Sequence, residues 1–154
     1  MRNAKIYKPA TRRLIEVFGD CLKTAVLFGS RARDEAGKNS DHDIFVVIEG
    51  LPDDPLERLK QVRMALLDVP LRVNIIAKTP EQVGANLTPL LLDICADGVC
   101  LYGPRYFEKF RRKALNALKQ SGLTRKRMGR AWYWHFEKIP QKEWELTWEE
   151  FREL

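Results

Sequence analysis

Leu27-Phe28-Gly29-Ser30-Arg31-Ala32-Arg33 and, after a polar loop, Ser40-Asp41-His42-Asp43-Ile44-Phe45-Val46-Val47 form the stretch on which the reading of this chain turns. An apolar run ends at Gly29, and a second one, Ile44 to Ile48, follows directly on two aspartates. Short length and β-branched content make that second run a strand covered on both faces rather than a helix. Thr24 to Phe28 reads as its partner, with Gly29-Ser30 as a strand-to-helix turn and Glu35 to Ser40 as a loop.

The neighbouring segments extend this pattern. Leu14, Ile15, Phe18 and Leu22 recur at helical spacing and predict a helix over 11–22. Asp54-Pro55-Leu56-Glu57 is a helix start, with an acid to cap and proline at the first position. A stripe of Leu56, Leu59, Val62 and Leu66 follows it. Leu71 to Ala77 is a third strand, and Thr79-Pro80-Glu81-Gln82 repeats the capping pattern. Pro89 to Ala96 predicts a helix and Val99 to Tyr102 a fourth strand. The expected class is α/β (α+β), a small mixed sheet flanked by helices.

Composition bounds the function. The chain has 154 residues, of which 45% are hydrophobic and 31% charged, enough for one compact core. No apolar run approaches a membrane span, and the first residues lack a secretory signal, so a cytoplasmic protein without a membrane partner is expected. Cys21, Cys95 and Cys100 form no metal-ligand pattern and read as buried, reduced thiols.

The net charge of +6 is unevenly placed. Residues 1–104 balance 14 basic side chains against 14 acidic ones, and residues 105–139 carry 11 against 2. The last fifteen reverse the sign, with 2 against 5. We therefore expect a core domain over 1–103 and a basic helical extension over 104–154 with an aromatic, acidic end. Within it, Phe107, Phe110, Ala114 and Leu118 form one helical stripe. Met128, Trp132, His135 and Phe136 suggest a second helix over 124–136. The basic clusters Arg111-Arg112-Lys113 and Arg125-Lys126-Arg127, with Arg130 and Trp132-Tyr133-Trp134, suit RNA or an acidic protein partner. Solvated helix faces would account for the charges equally well, and packing onto the core accounts better for the aromatics.

The chemistry lies in the opening stretch. Gly29 permits a sharp turn and close approach of a ligand to the backbone, Ser30 adds a hydroxyl, and Arg31 and Arg33 add charge. A lone Gly-Ser is more often a plain turn. Side chains two apart on a strand share a face, so Asp41 and Asp43 stand side by side where a cation could relieve their repulsion. A lone Asp-x-Asp is more often a solvated strand entrance. Together the two features supply what nucleotidyl transfer needs, a positioned triphosphate and a metal clamp. His42 points to the other face and receives no catalytic part, and His135 reads as packing.

Gly29-Ser30-Arg31-Ala32-Arg33 followed by Ser40-Asp41-His42-Asp43-Ile44 closely resembles the DNA polymerase β-like nucleotidyltransferase superfamily, and more narrowly its minimal nucleotidyltransferases, found in prokaryotic toxin–antitoxin or stand-alone form. The likeness extends over residues 11–103, including Asp97-Gly98-Val99-Cys100-Leu101-Tyr102-Gly103. It implies Mg²⁺, two ions by expectation, held by the catalytic pair Asp41 and Asp43. It also implies ATP or another nucleoside triphosphate bound at Gly29, Ser30, Arg31, Arg33 and Ser40. The expected reaction moves a nucleoside monophosphate to a hydroxyl on protein or RNA, and pairing of two copies through an exposed helix is compatible with it. One position departs from the pattern: Asn74 stands where the family places a third carboxylate, with Glu49 and Asp68 the nearest acids in sequence. An amide cannot accept the acceptor's proton. That favours, as the alternative, a weakly catalytic binding module of antitoxin type.

Overall fold

A computed structural model describes residues 4–154. The elements that build the sheet and its two cover layers run in chain order α1 (Lys8–Phe18), β1 (Leu22–Phe28), α2 (Gly29–Ala32), β2 (His42–Ile48), α3 (Pro55–Ala65), β3 (Val73–Lys78), α4 (Pro80–Ala85), α5 (Pro89–Asp97), β4 (Val99–Tyr102) and α6 (Pro104–Ser121). Strands β5 (Leu123–Met128), β6 (Ala131–Phe136), β7 (Trp144–Leu146) and β8 (Phe151–Glu153) complete it. The four-stranded sheet has the order β3-β2-β1-β4. β1 is antiparallel to β2 and to β4, whereas β2 and β3 run parallel. This is the mixed α+β sheet expected.

Alternation within the two central strands sorts the core into two layers. Ala25, Leu27, Ile44, Val46 and Ile48 meet Ala10 and Leu14 of α1 and Val62 of α3. Val26, Phe28, Phe45 and Val47 meet Leu91, Ile94 and Cys95 of α5 and Phe107, Phe110, Ala114 and Leu118 of α6. Strands covered on both faces have no polar side to present, which is why Ile44 to Ile48 is an unbroken apolar run. Helix α6 is thus the cover of the sheet's second face. Full burial of Phe107 alone contributes about 2–3 kcal/mol.

The caps follow the sequence signals. Asp54 accepts from Leu56 N, and Thr79 with Gln82 forms a complete capping box. Three expectations are corrected. Leu56 is 74% exposed, because the stripe on α3 begins only at Leu59. Cys21 is exposed, since it lies in the turn before β1, whereas burial pushes the Cys95 thiol up to about 12. Residues 124–136 are no helix but the antiparallel hairpin β5–β6, with Arg125 opposite Trp134 and Arg127 opposite Trp132. Gly129 turns the chain with φ +62°, and the aromatics Trp132, Trp134 and Phe136 alternate onto one face. Trp148 packs edge-on against Phe110 and donates to Val83 O at 2.8 Å. Among the described residues no helix is long and apolar enough to cross a membrane.

His42 faces away from the aspartates, as alternation requires. It is 8% exposed and its Nδ1 lies 2.7 Å from the Tyr7 hydroxyl. Burial first, then the Arg31 guanidinium, hold its pKa below the ordinary 6.5. The unfolded chain therefore takes up this proton before the folded one does. Stability is complete above about pH 6.5 and declines as pH falls below it, until the folded imidazole also protonates. Urea midpoints measured from pH 7.5 to pH 5 are expected to drop more steeply in the wild type than in His42→Gln.

Candidate functional site

Strand β1 delivers Gly29 to its end with φ +72°, a left-handed conformation that favours glycine. A Cβ at this position would overlap Asp43 Oδ2. The glycine is thus the only residue that lets the turn lie directly against the carboxylate. The register explains the proximity: Phe28 pairs with Asp43 across β1 and β2, so the next residue of β1's chain passes beside that side chain.

Asp43 and Asp41 lie at the N-terminal end of β2, and the edge strand β3, parallel to it, together with the residue that precedes β3, supplies a partner for each. Asn74 sits opposite Asp43 and donates from Nδ2 to Oδ1 at 3.1 Å. Arg72 donates from Nε to Asp41 Oδ1 at 2.9 Å. Both contacts are exposed, so the ion pair contributes at most about 1 kcal/mol and yields readily to a ligand. Asp43 Oδ2 remains directed at the glycine turn. Asp43 and the turn are brought together, and Asp41, two residues earlier in the chain, is engaged by Arg72.

The other expected residues separate into two groups. Ser30, Ser40 and Arg33 line a cleft of about 460 Å³ together with Glu35, Ala36, Gly37, Arg127 and Arg130. Arg33 lies between Glu35, at 3.2 Å, and Asp97, at 3.4 Å. Arg31 instead donates to Ser40 O at 2.8 Å and braces the loop from behind. Glu49 pairs with Lys23 at the far end of β2 and cannot substitute for a third acid. No group of three or more His, Cys, Asp or Glu side chains suited to a metal occurs among the described residues. Two carboxylates remain a fit for Mg²⁺, which takes one or two from protein and fills its shell with water and substrate phosphate.

The sequence did not reveal that the hairpin borders the cleft beside Ser30 and Ser40. Arg125 forms a two-pronged pair with Asp97, reaches Asp93 at 3.5 Å and lies over Trp132 and Trp134 at 5.4 and 5.2 Å. Trp134 Nε1 donates to Asp93 at 2.9 Å, and Trp132 Nε1 donates to Glu35 at 3.3 Å. Burial raises the Asp93 carboxyl above its ordinary range, whereas the Trp132 N–H, then Arg33 and Arg127, hold Glu35 below its own. The sequence signals for it were Gly129 and the alternation of Arg125 with Arg127 and of Trp132 with Trp134.

A family model described as a nucleotidyltransferase domain matches residues 11–94, more than half of the chain. A Methanocaldococcus jannaschii protein, provisionally named a protein adenylyltransferase, is 34% identical over 76 residues, which are 49% of this chain and 45% of that one. The chain thus spans less than half the length of that relative. A crystal structure of a toxin–antitoxin with AMP-PNP superposes with a TM-score of 0.52 at 20% identity, covering 71% of this chain and 85% of its own. A variant of the MntA–HpeT toxin–antitoxin does so at 0.51 and 19%, covering 71% and 83%. These two show the shared fold. The matched segment runs from α1 through β3 into α5 and includes the glycine turn and both aspartates, and the chain belongs to the nucleotidyltransferase domain family.

Proposed function

We propose that the protein transfers a nucleoside monophosphate from a nucleoside triphosphate, ATP by preference, to a hydroxyl, with Mg²⁺ as the required ion. The observation that carries this reading is the contact of the Gly29 turn with the Asp43 carboxylate, with Asp41 two residues away in the chain. Asp41 and Asp43 would hold the ion, which supplies charge neutralisation at the attacked phosphorus. Ser30 and Ser40 offer hydroxyls to phosphate oxygens. The acceptor oxygen–Pα bond forms as the Pα–O bond to the β-phosphate breaks; pyrophosphate departs with the electron pair and the hydroxyl proton passes to water. A protein hydroxyl is the favoured acceptor, supported by the name of the archaeal relative and by the toxin–antitoxin neighbours. RNA is the other acceptor class.

Purified protein given α-labelled ATP, Mg²⁺ and candidate acceptors is expected to transfer label, and a chelator to stop it. Persistent transfer in excess chelator would overturn the metal-dependent reading. Asn74 supports a second reading, a binding module with little turnover, because its amide donates to Asp43 where an acid would act as base. A marked gain of transfer in Asn74→Asp favours that reading, and robust turnover by the wild type removes it.

A further inference from the structure

The hairpin lies outside the segment that defines the family, yet its turn borders the cleft beside Ser30 and Ser40. Three guanidiniums, Arg33, Arg127 and Arg130, face one carboxylate there, Glu35. Their arrangement is built rather than incidental. Arg127 lies over the Trp132 ring at 5.3 Å and pairs with Glu35 at 3.7 Å, and Trp132 is itself tied to Glu35. Arg125, two residues earlier on the same face, clamps the hairpin to α5 through Asp97. The base of the hairpin is thereby fixed and its turn is held over the cleft. Arg130 is exposed at that turn, and among the described residues no ion pair engages it. A cleft with an excess of guanidinium, two serine hydroxyls and a rigid wall suits an anion with several oxygens.

We infer that the β5–β6 turn completes the triphosphate subsite, with Arg127 and Arg130 receiving the β- and γ-phosphates that leave as pyrophosphate. This rests on the nucleotide reading of the Gly29–Asp43 site and gives the basic extension a part in catalysis rather than only in docking. Charge that accumulates on the departing pyrophosphate is what guanidinium groups stabilise, so the hairpin serves both binding and departure.

The test uses the full chain and three probes with Mg²⁺: a non-hydrolysable ATP analogue, AMP, and inorganic tripolyphosphate, measured by calorimetry. Arg130→Gln is expected to weaken the ATP analogue and tripolyphosphate roughly ten-fold, as loss of one charge-assisted contact does, and to leave AMP unchanged. Arg130→Lys should restore part of the loss. Arg127→Gln/Arg130→Gln should weaken both triphosphates further, and an unchanged thermal midpoint for Arg130→Gln shows the hairpin intact. Equal loss for AMP, or no loss for either triphosphate, overturns the assignment, as does an effect confined to RNA binding. Asp43→Asn run in parallel separates this inference from the functional reading. If Asp43→Asn has no effect on Mg²⁺-dependent nucleotide binding while Arg130→Gln weakens tripolyphosphate, the cleft stands and the functional reading fails. The converse sinks the cleft alone, and a wild type that takes up none of the probes sinks both.

Discussion

Asp43→Ala is expected to lower the proposed nucleotidyl transfer about 1,000-fold, as removal of several kcal/mol of charge stabilisation at the attacked phosphorus would. The same substitution is expected to leave the thermal midpoint unchanged. The reason lies in what the carboxylate does for the fold. It accepts one exposed bond from Asn74, which contributes little to the fold. A group retained for folding would behave in the opposite way, since its loss would cost stability and spare the chemistry of the survivors. Gly29→Ala supplies the companion result. Its methyl group would overlap Asp43 Oδ2 and impose a left-handed φ on alanine, so transfer falls with Asp43 itself intact. Single-turnover transfer and thermal unfolding, measured on both variants, check the pair. If Asp43→Ala retains transfer within ten-fold of wild type, the carboxylate does not hold the ion.

The glycine turn and the acid it meets were legible because both are local. A glycine ending an apolar run and two acids opening the next can be read without knowing how the strands pair. The pairing of β1 with β2 then follows from the shortness of the connection. The caps at Asp54 and Thr79 are equally local, since each is a bond between a side chain and the backbone two or three residues on. The partner of Asp43 could not be read in this way. Asn74 was marked as a departure from the family pattern, but its hydrogen bond depends on the parallel register of β2 and β3, set by everything between them.

The hairpin was misread for a physical reason. Trp132, His135 and Phe136 lie at helical spacing, and Trp132, Trp134 and Phe136 at strand spacing, so an aromatic run of this kind supports both periods. What decides between them is tertiary. As a hairpin, the segment points Arg125 and Trp134 together at Asp97 and Asp93 of α5, with Trp132 on the same face reaching Glu35. A helix would spread those side chains around its circumference and leave the two acids unpaired. Gly129, mid-segment with positive φ, was the available local signal.

That anchoring makes a second large effect measurable. Asp97→Ala removes the acceptor of the two-pronged bond from Arg125 and of the weaker contact from Arg33, and leaves two guanidiniums without their shared anion. The side chains of Arg125 and Asp97 are 16% and 13% exposed, so little solvent compensates. Breaking a pair this enclosed costs about 3 kcal/mol, and the thermal midpoint of a chain this size drops roughly 10 °C. The loss is not spread evenly. Hydrogen exchange should accelerate across residues 123–136, while the amides of β1 and β2, held by the two-layer core, keep their protection. Arg125→Lys should recover only part of the stability, because an ammonium can neither fork onto Asp97 nor stack between Trp132 and Trp134 as a planar group does. Since the hairpin turn carries Arg130 to the cleft, Asp97→Ala should also weaken triphosphate binding although Asp97 lies outside the cleft lining, and AMP binding should be spared. Uniform acceleration of exchange throughout the sheet would mean instead that Asp97 supports the whole fold, and the hairpin would lose its standing as a separately anchored wall.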